Sequence, residues 1–412
     1  MPIKHWFIVA ATALILVAPM NMVRAADPTS DSFPEDPEVV SAVPSEDSAS
    51  DQDLYQPTTN LALNVSVPNL TQGFQYHAGL LYLQPSADNL GYAALTTEKN
   101  FASPVPLASP YWQIESLRPG FQPGFEVGAD YAFARPGTDF QANWQHLRTS
   151  TSNAASAGNG QWISPFSQTG PPTADSYDEL YNRTGVNLLR SATGQVNFAY
   201  DQANFDFGQY INICSSLTVR FFSGLSFARV QERLVSSFFG APPAANAVFP
   251  DNVPLYLSLN NTSTFSGVGP RLGFENSYQT PSGLRFTSQL AGALLIGQTQ
   301  PSQYLFTATA PGLASIGIPV NNEGIYSNRL THVVYAANAK LGLGYSRVLS
   351  NGSLFTFDGG YLAAVLVNPF AGYETNSNIL AIQIGSLSSG SIRQTLSNFS
   401  ANGFYLNAGL QW

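Results

Sequence analysis

Alternation over the last ten residues, 403–412, restricts the possible folds of this chain more than any other feature. The intervening positions are polar or small, whereas every second position is apolar: Phe404, Leu406, Ala408, Leu410 and Trp412. A period of two is typical of a β-strand, and one apolar face is typical of a strand between lipid and water. Many outer-membrane barrels end on an aromatic residue in this way, so the segment predicts a transmembrane β-barrel.

Composition agrees with a barrel and disagrees with a helical membrane protein. Charged residues make up 10% of the 412 residues, against roughly 25% in ordinary soluble domains. From Ala26 onward, no apolar run approaches the roughly 20 residues that a spanning helix needs. Strands that present every second residue to lipid explain both observations.

The formal net charge of −9 is concentrated near the N-terminus. The segment 27–53 contains nine of the 26 acidic residues and no basic residue, so the rest of the chain is close to neutral. This distribution argues against a nucleic-acid-binding surface.

The first 60 residues divide into two predicted segments that precede the barrel. Lys4, an apolar stretch over 6–19 and a cleavage site at Val23-Arg24-Ala25, cut after Ala25, predict a secretory signal peptide over 1–25. Residues 26–60 are rich in Asp, Glu, Ser and Pro, so we expect a disordered acidic periplasmic tail there. The barrel is then expected over 61–412. Cys214 is the only cysteine, which excludes an internal disulfide.

Alternating segments predict about ten antiparallel strands, with 12 possible because Val253–Leu259 also alternates. Short turns and long connections follow one another along the chain, so we expect short periplasmic turns and long outer loops. A register change is expected near Asn204, where the apolar positions switch parity. A soluble β-sandwich also alternates, but it does not explain the signal segment and this order of turns together. The ten predicted strands are 74–82, 125–133, 140–144, 196 to about 211, 219–227, 268–274, 284–296, 335–345, 355–365 and the terminal one.

The opposite face of the strands is expected to line the lumen. It carries ionisable residues of both signs, which avoid lipid and lie in water or in pairs. They either line an open polar pore or pair across the interior and plug it. The predicted pore-lining residues are Glu126, Asp130, Asp139, Asp201, Arg220, Arg271, Glu275, Arg285, Lys340 and Asp358. Ten strands leave a narrow lumen, which suits ions and small solutes.

No pattern predicts a catalytic, cofactor-binding or metal site. His77, His146 and His332 lie on predicted strands without the spacing of metal ligands. A nucleophile elbow and a phosphate-binding loop in the right context are both absent. We therefore expect no enzyme and no cofactor; a membrane-embedded hydrolase that uses these histidines is the remaining alternative.

Several blocks resemble the Legionella-type major outer membrane protein family of pore-forming proteins. The most specific is Gly267–Glu275, followed by Ser282–Leu284 and Ala291–Gly297; Gly79–Leu83 and Pro123–Gly128 fit the same pattern. The resemblance covers about 74–412 and implies an outer-membrane barrel that forms a pore. The acidic tail and the single Cys214 depart from it, so a cysteine cross-link between chains is not expected.

Two functions are consistent with these features. The first is a pore that passes ions and small hydrophilic solutes by passive diffusion through the outer membrane of a Gram-negative-type envelope. The alternative is a closed barrel that serves as an adhesin or envelope scaffold through its long outer loops. The expected partners are outer-membrane lipid, small solutes and no nucleic acid. The barrel-assembly machinery is expected to bind through Phe404, Leu406, Leu410 and Trp412.

Overall fold

A computed structural model describes the greater part of the predicted barrel. It covers residues 65–68, 70–97, 113–158, 161–165, 190–240, 255–309, 321–326, 328–377 and 389–411. The predicted signal peptide, the acidic tail and Trp412 lie outside these residues. Within the described ranges, no helix is long and apolar enough to cross a membrane.

The described residues form fourteen strands. They are β1 (Gly73–Ala87), β2 (Gly91–Thr97), β3 (Gln113–Ser116), β4 (Gln122–Ala132), β5 (Thr138–Ser156), β6 (Gln161–Pro165), β7 (Ser191–Cys214), β8 (Leu217–Gly240), β9 (Leu255–Gln279), β10 (Leu284–Thr309), β11 (Asn321–Tyr326), β12 (Leu330–Val348), β13 (Leu354–Ser377) and β14 (Ser389–Gln411).

Ten of these strands close into one antiparallel ring. Their order is β1, β4, β5, β7, β8, β9, β10, β12, β13 and β14, and β14 pairs again with β1. Tyr76 lies opposite Leu410 at this closing seam. Strand β11 extends the outer end of β10, and β2, β3 and β6 form a separate small sheet. The predicted barrel of about ten strands is confirmed.

A band of exposed apolar side chains surrounds the ring. Leu80 and Leu272 are 67% and 70% exposed, and aromatic residues on neighbouring strands are similarly uncovered. A β-sandwich would bury these side chains against a second sheet, so the sandwich alternative is excluded. Only lipid can cover such a band, because exposed apolar patches of this size are unfavourable in water.

Four short turns lie at the end of the ring that carries the C-terminus. They span residues 133–137, 215–216, 280–283 and 349–353. Gly137, Gly283 and Gly352 have φ values of 64°, 85° and 86°, which residues with a Cβ rarely adopt. The longer connections lie at the opposite end, as predicted for a barrel with short periplasmic turns and long outer loops.

Strand β7 shows that the predicted register change near Asn204 is wrong. Asn204 pairs with Asn143 on one side and with Ser226 on the other, in an unbroken ladder. The irregularity lies instead between Asn212 and Cys214, next to the turn. The alternating segment around Leu255–Leu259 is the outer end of β9 and adds no strand to the ring.

The outward band can be tested by placing a charge at its centre. Leu341→Arg should lower the free energy of unfolding by about 2–4 kcal/mol, because the guanidinium would face the middle of the bilayer. Thr331→Arg is the matched control, since Thr331 is exposed on the same face of β12 beyond the band. Urea unfolding from lipid vesicles measures both variants. Equal effects at the two positions would contradict the lipid-facing assignment.

Candidate functional site

Polarity inside the barrel changes from one end of the lumen to the other, and β7 shows this change along a single strand. From the outer end towards the turns, its inward positions are Phe198, Tyr200, Gln202, Asn204 and Asp206, all buried. The interior therefore has an apolar outer layer, an amide layer and a charged layer on the periplasmic side.

The charged layer is made of ion pairs between inward-facing side chains on non-adjacent strands. Lys340 Nζ donates to both carboxylate oxygens of Glu126 at 2.8 Å, and Gln145 Nε2 donates to Glu126 Oε2 at 2.9 Å. Arg220 Nε lies 3.0 Å from each oxygen of Asp139. Lys340 on β12 and Glu126 on β4 meet only once β14 has paired with β1, whereas Arg220 on β8 and Asp139 on β5 are separated in the ring by β7 alone.

Two arginines enclose an aromatic ring in the same layer. Arg220 and Arg271 lie over Phe222, with their guanidinium carbons 5.1 Å and 4.9 Å from the ring centre. Arg271 Nη1 donates to Asp206, which forms the third ion pair of this layer. Stacking on an aromatic face suits the planar guanidinium better than an ammonium group.

A polar cavity of about 170 Å³ lies at the periplasmic end of the charged layer. His77 Nδ1 is 3.5 Å from Asp130 Oδ2, and Arg285 Nη2 is 3.6 Å from Asp358 Oδ1. Glu275 also lines the cavity. These distances are longer than those of the buried pairs, so the charges around the cavity are less tightly paired. Among the described residues, no group of three or more His, Cys, Asp or Glu side chains is placed to hold a metal ion.

An amide and hydroxyl network lies between the charged and apolar layers. Gln202 Nε2 donates to Asn204 Oδ1 and Ser226 Oγ at 3.1 Å each. Asn204 Nδ2 donates to Asn143 Oδ1 at 2.8 Å, and Asn338 Nδ2 reaches Gln202 Oε1 from across the barrel at 3.3 Å. The network satisfies buried polar groups without net charge.

The outer layer consists of aromatic side chains that pack together inside the barrel. Phe399 packs between Phe198 and Phe370, with ring centres 5.6 Å and 5.9 Å apart, and Tyr200 lies 5.5 Å from the same ring. All four side chains are almost completely buried. Within the described residues, this layer is continuous with a buried apolar cluster that includes Leu81 and Val230.

A bulge in β13 carries Phe370 into this layer. Between Leu366 and Phe370, two extra residues interrupt the pairing with β14. Asn368 adopts a φ of 58°, and its N–H donates to Asn398 Oδ1. Beyond the bulge, the Ala371 N–H donates to Ser263 Oγ on β9, which is not a neighbour of β13 in the ring. The outer end of β13 therefore bends inward across the barrel.

Nine of the ten predicted pore-lining residues lie in the interior. Asp201 is the exception, because the unbroken alternation of β7 places it on the outer face, where it bonds to His146. Asp206 is missing from the predicted set because the register change expected near Asn204 removes it from the inward face. The nine interior residues are Glu126, Asp130, Asp139, Arg220, Arg271, Glu275, Arg285, Lys340 and Asp358.

A sequence-family model described as Legionella pneumophila major outer membrane protein precursor matches residues 66–412. No curated protein sequence matches this chain significantly. Three solved structures share the barrel architecture. The outer membrane protease OmpT from Escherichia coli is 8% identical, with 82% of this chain and 96% of that chain covered and a TM-score of 0.36.

The toluene transporter TodX from P. putida is 7% identical, with 83% of this chain and 90% of that chain covered and a TM-score of 0.22. The translocator domain of the autotransporter NalP from Neisseria meningitidis is 12% identical, with 84% of this chain and 90% of that chain covered and a TM-score of 0.24. These similarities are too distant to indicate which activity this chain has.

The ion pair between Lys340 and Glu126 gives the first prediction about the interior. Lys340→Met should lower the free energy of unfolding by about 3–5 kcal/mol, because it leaves the Glu126 carboxylate buried without its cation. The double variant Lys340→Met/Glu126→Gln should recover most of that loss. Urea unfolding in vesicles measures both. A double variant as unstable as the single one would show that the pair is not the source of the effect.

Glu232 generates a pH prediction. It points inward from the part of β8 beyond the lipid-facing band, where Asn89 Nδ2 donates to Glu232 Oε1 at 2.8 Å. Burial raises the pKa of the Glu232 carboxyl to about 8 from its ordinary 4.5, despite that hydrogen bond. Between these two values the unfolded chain loses the proton and the folded chain keeps it. Stability should therefore fall as pH rises through this window, by about 1.4 kcal/mol per pH unit.

Glu232→Gln should remove this contribution. The difference in unfolding free energy between the variant and the parent should grow from pH 5 to pH 8. Glu115→Gln makes the same charge change in the small outer sheet and is the control. A parallel pH profile for the parent and Glu232→Gln would refute the buried neutral carboxyl.

Proposed function

The chain belongs to the Legionella major outer membrane protein family, and we propose that it is a narrow pore that passes ions and small hydrophilic solutes by passive diffusion. The protein resides in the outer membrane. In the proposed resting conformation, the aromatic outer layer closes the pore. The observation that carries this proposal is the hydrophilic periplasmic half of the lumen, where charges of both signs line a polar cavity.

The periplasmic half has the chemistry of a solute pathway. Charges of both signs line a cavity that is large enough for several waters. Asp130 Oδ1 is buried without a partner among the described residues, and Arg285 and Asp358 are about one quarter exposed. Such groups exchange readily between protein and solute partners, whereas a structural plug would pair them all.

The outer half has the chemistry of a gate. A ring of apolar side chains excludes water by dewetting when it is narrow and conducts when it widens. Phe198, Phe370 and Phe399 come from three different strands, so each can rotate without breaking the ring of backbone hydrogen bonds. The proposed opening therefore needs rotamer changes and a small shift of the β13 bulge.

One observation favours the closed-barrel alternative. Strands β7 to β10 are 24 to 26 residues long, although about 9–11 residues suffice to cross a bilayer. In this alternative, their outer ends and the sheet of β2, β3 and β6 form a platform beyond the membrane. If the aromatic layer never opens, an adhesin or scaffold presented on this platform is the better description.

The terminal strand supports a proposed contact with the barrel-assembly machinery. Phe404 and Leu406 are 58% and 45% exposed on the outward face of β14, next to Leu410. Strand β14 pairs with β1 at the closing seam. Before that pairing forms, the free edge of β14 needs a temporary partner, which the assembly machinery would supply. Trp412, the fourth residue of the predicted contact, lies outside the described residues.

Conductance separates the pore from the closed barrel. In planar bilayers the parent protein should give discrete, short openings, and Phe370→Ser should increase the fraction of time spent open at least several-fold. Phe357→Ser is the matched control, because Phe357 lies on the same strand but faces lipid.

Silence of the parent and of Phe370→Ser at high protein load would overturn the pore and support the closed barrel. A retained shift of the folded band on an unheated gel verifies that each variant is assembled. Equal gains from Phe370→Ser and Phe357→Ser would show that general loosening, not a gate, causes the openings.

A further inference from the structure

The outward faces of β5 and β8, which lie on either side of β7, change from apolar to basic at the outer edge of the lipid-facing band. On β5, the outward positions are Trp144, His146 and Arg148 in order. On β8, Phe227 is followed by Arg229 and, four residues later, by Arg233. Phe227 and Trp144 are 44% and 41% exposed and end the apolar band on their strands.

The strand register places the basic side chains in one sector. His146, Asp201 and Arg229 lie opposite one another in a single row across β5, β7 and β8. Arg148 is the next outward residue of β5 after His146. It pairs with Ala199 on β7, and Ala199 in turn pairs with Gln231 on β8. Two strand spacings separate β5 from β8, about 10 Å, so the flexible arginine side chains can converge on one group over β7.

The guanidinium groups of this sector are available to a ligand. Asp201, the one acidic residue in the row, bonds to His146 Nδ1 at 2.6 Å. Arg148 and Arg229 form no ion pair or hydrogen bond with any other residue that the structure describes. Arg233 Nε donates only to the neutral amide oxygen Asn260 Oδ1, at 3.3 Å.

The remaining strands carry neutral side chains at the corresponding edge. The outward residues that follow the apolar band there are Gln84 on β1, Ser266 on β9, Gln298 on β10, Thr331 on β12 and Asn402 on β14. Ordinary solubility at the membrane edge therefore does not require arginine. Arg329, just before β12, is also exposed, but among the described residues it is the register of β5, β7 and β8 that brings three outward arginines together, and this clustering favours a specific partner.

We propose that Arg148, Arg229 and Arg233 bind a phosphate group in the headgroup of a phosphorylated glycolipid of the outer leaflet. Guanidinium groups match the geometry of phosphate oxygens and bind them in a bidentate manner. The acyl chains of the same lipid lie on Trp144 and Phe227, directly below. This site is on the outer wall of the barrel and is independent of the proposed pore.

The position of the sector favours a lipid over a free anion. A soluble phosphate would gain only the charge interaction, which water and salt weaken at an exposed site. A lipid gains the same interaction and also covers the exposed aromatic side chains at the edge of the band. Clustered basic residues next to a bilayer surface are the usual determinants of anionic lipid binding.

The test uses the full-length folded protein in detergent, titrated with diphosphoryl lipid A and followed by native mass spectrometry. The parent should retain the lipid, and Arg148→Gln/Arg229→Gln should weaken binding about tenfold or more. Arg347→Gln is the control, because Arg347 is an exposed arginine at the periplasmic end of β12. Equal affinity of the parent and the double variant would overturn the site.

Two further measurements do not depend on how the variants fold. Removal of the phosphates from the lipid should weaken its binding to the parent by a similar factor, and unchanged binding would overturn the proposal. Inorganic phosphate at millimolar concentration should not displace the lipid. Complete displacement would show a simple anion site and would overturn the assignment to a lipid headgroup.

Discussion

Closure of the backbone hydrogen-bond ring determines every other property of this molecule. Inside a bilayer no water satisfies a free peptide group, so an open sheet edge is not tolerated there. Pairing of β14 with β1, from Gln75 opposite Gln411 to Ala87 opposite Phe399, removes the last edge. Once the ring is closed, each strand has one outward face and one face in the lumen, and within the lipid-facing band the side chains are sorted by that division.

A ring of ten strands is narrow, so side chains fill much of its interior. On the periplasmic side the filling is ionic, and two of its pairs are Lys340 with Glu126 and Arg220 with Asp139. On the outer side it is aromatic. Beyond the lipid-facing band the outside of the wall meets water, which makes the outward positions polar. The inner positions there can be apolar, as in the core of a soluble protein.

This inversion explains both the success and the failure of sequence-based prediction. The ring of ten strands and the positions of the short turns follow from period-two alternation and turn residues. In β7, Phe205 and Phe207 face lipid. Phe198 and Tyr200 lie nearer the outer end of the same strand and point into the barrel. If all four residues are assigned to one lipid-facing side, a register change is needed between Tyr200 and Phe205. The strand has none, because its surroundings change along its length.

By itself, the sequence determined the class of fold, the approximate strand count and most of the interior charges, because alternation depends only on neighbouring residues. The tertiary structure decided which charges pair, that Asp201 lies outside while Asp206 lies inside, and that Phe198, Phe370 and Phe399 meet. These outcomes depend on the stagger between strands distant in sequence and on the height of each residue relative to the bilayer. Local alternation contains neither quantity.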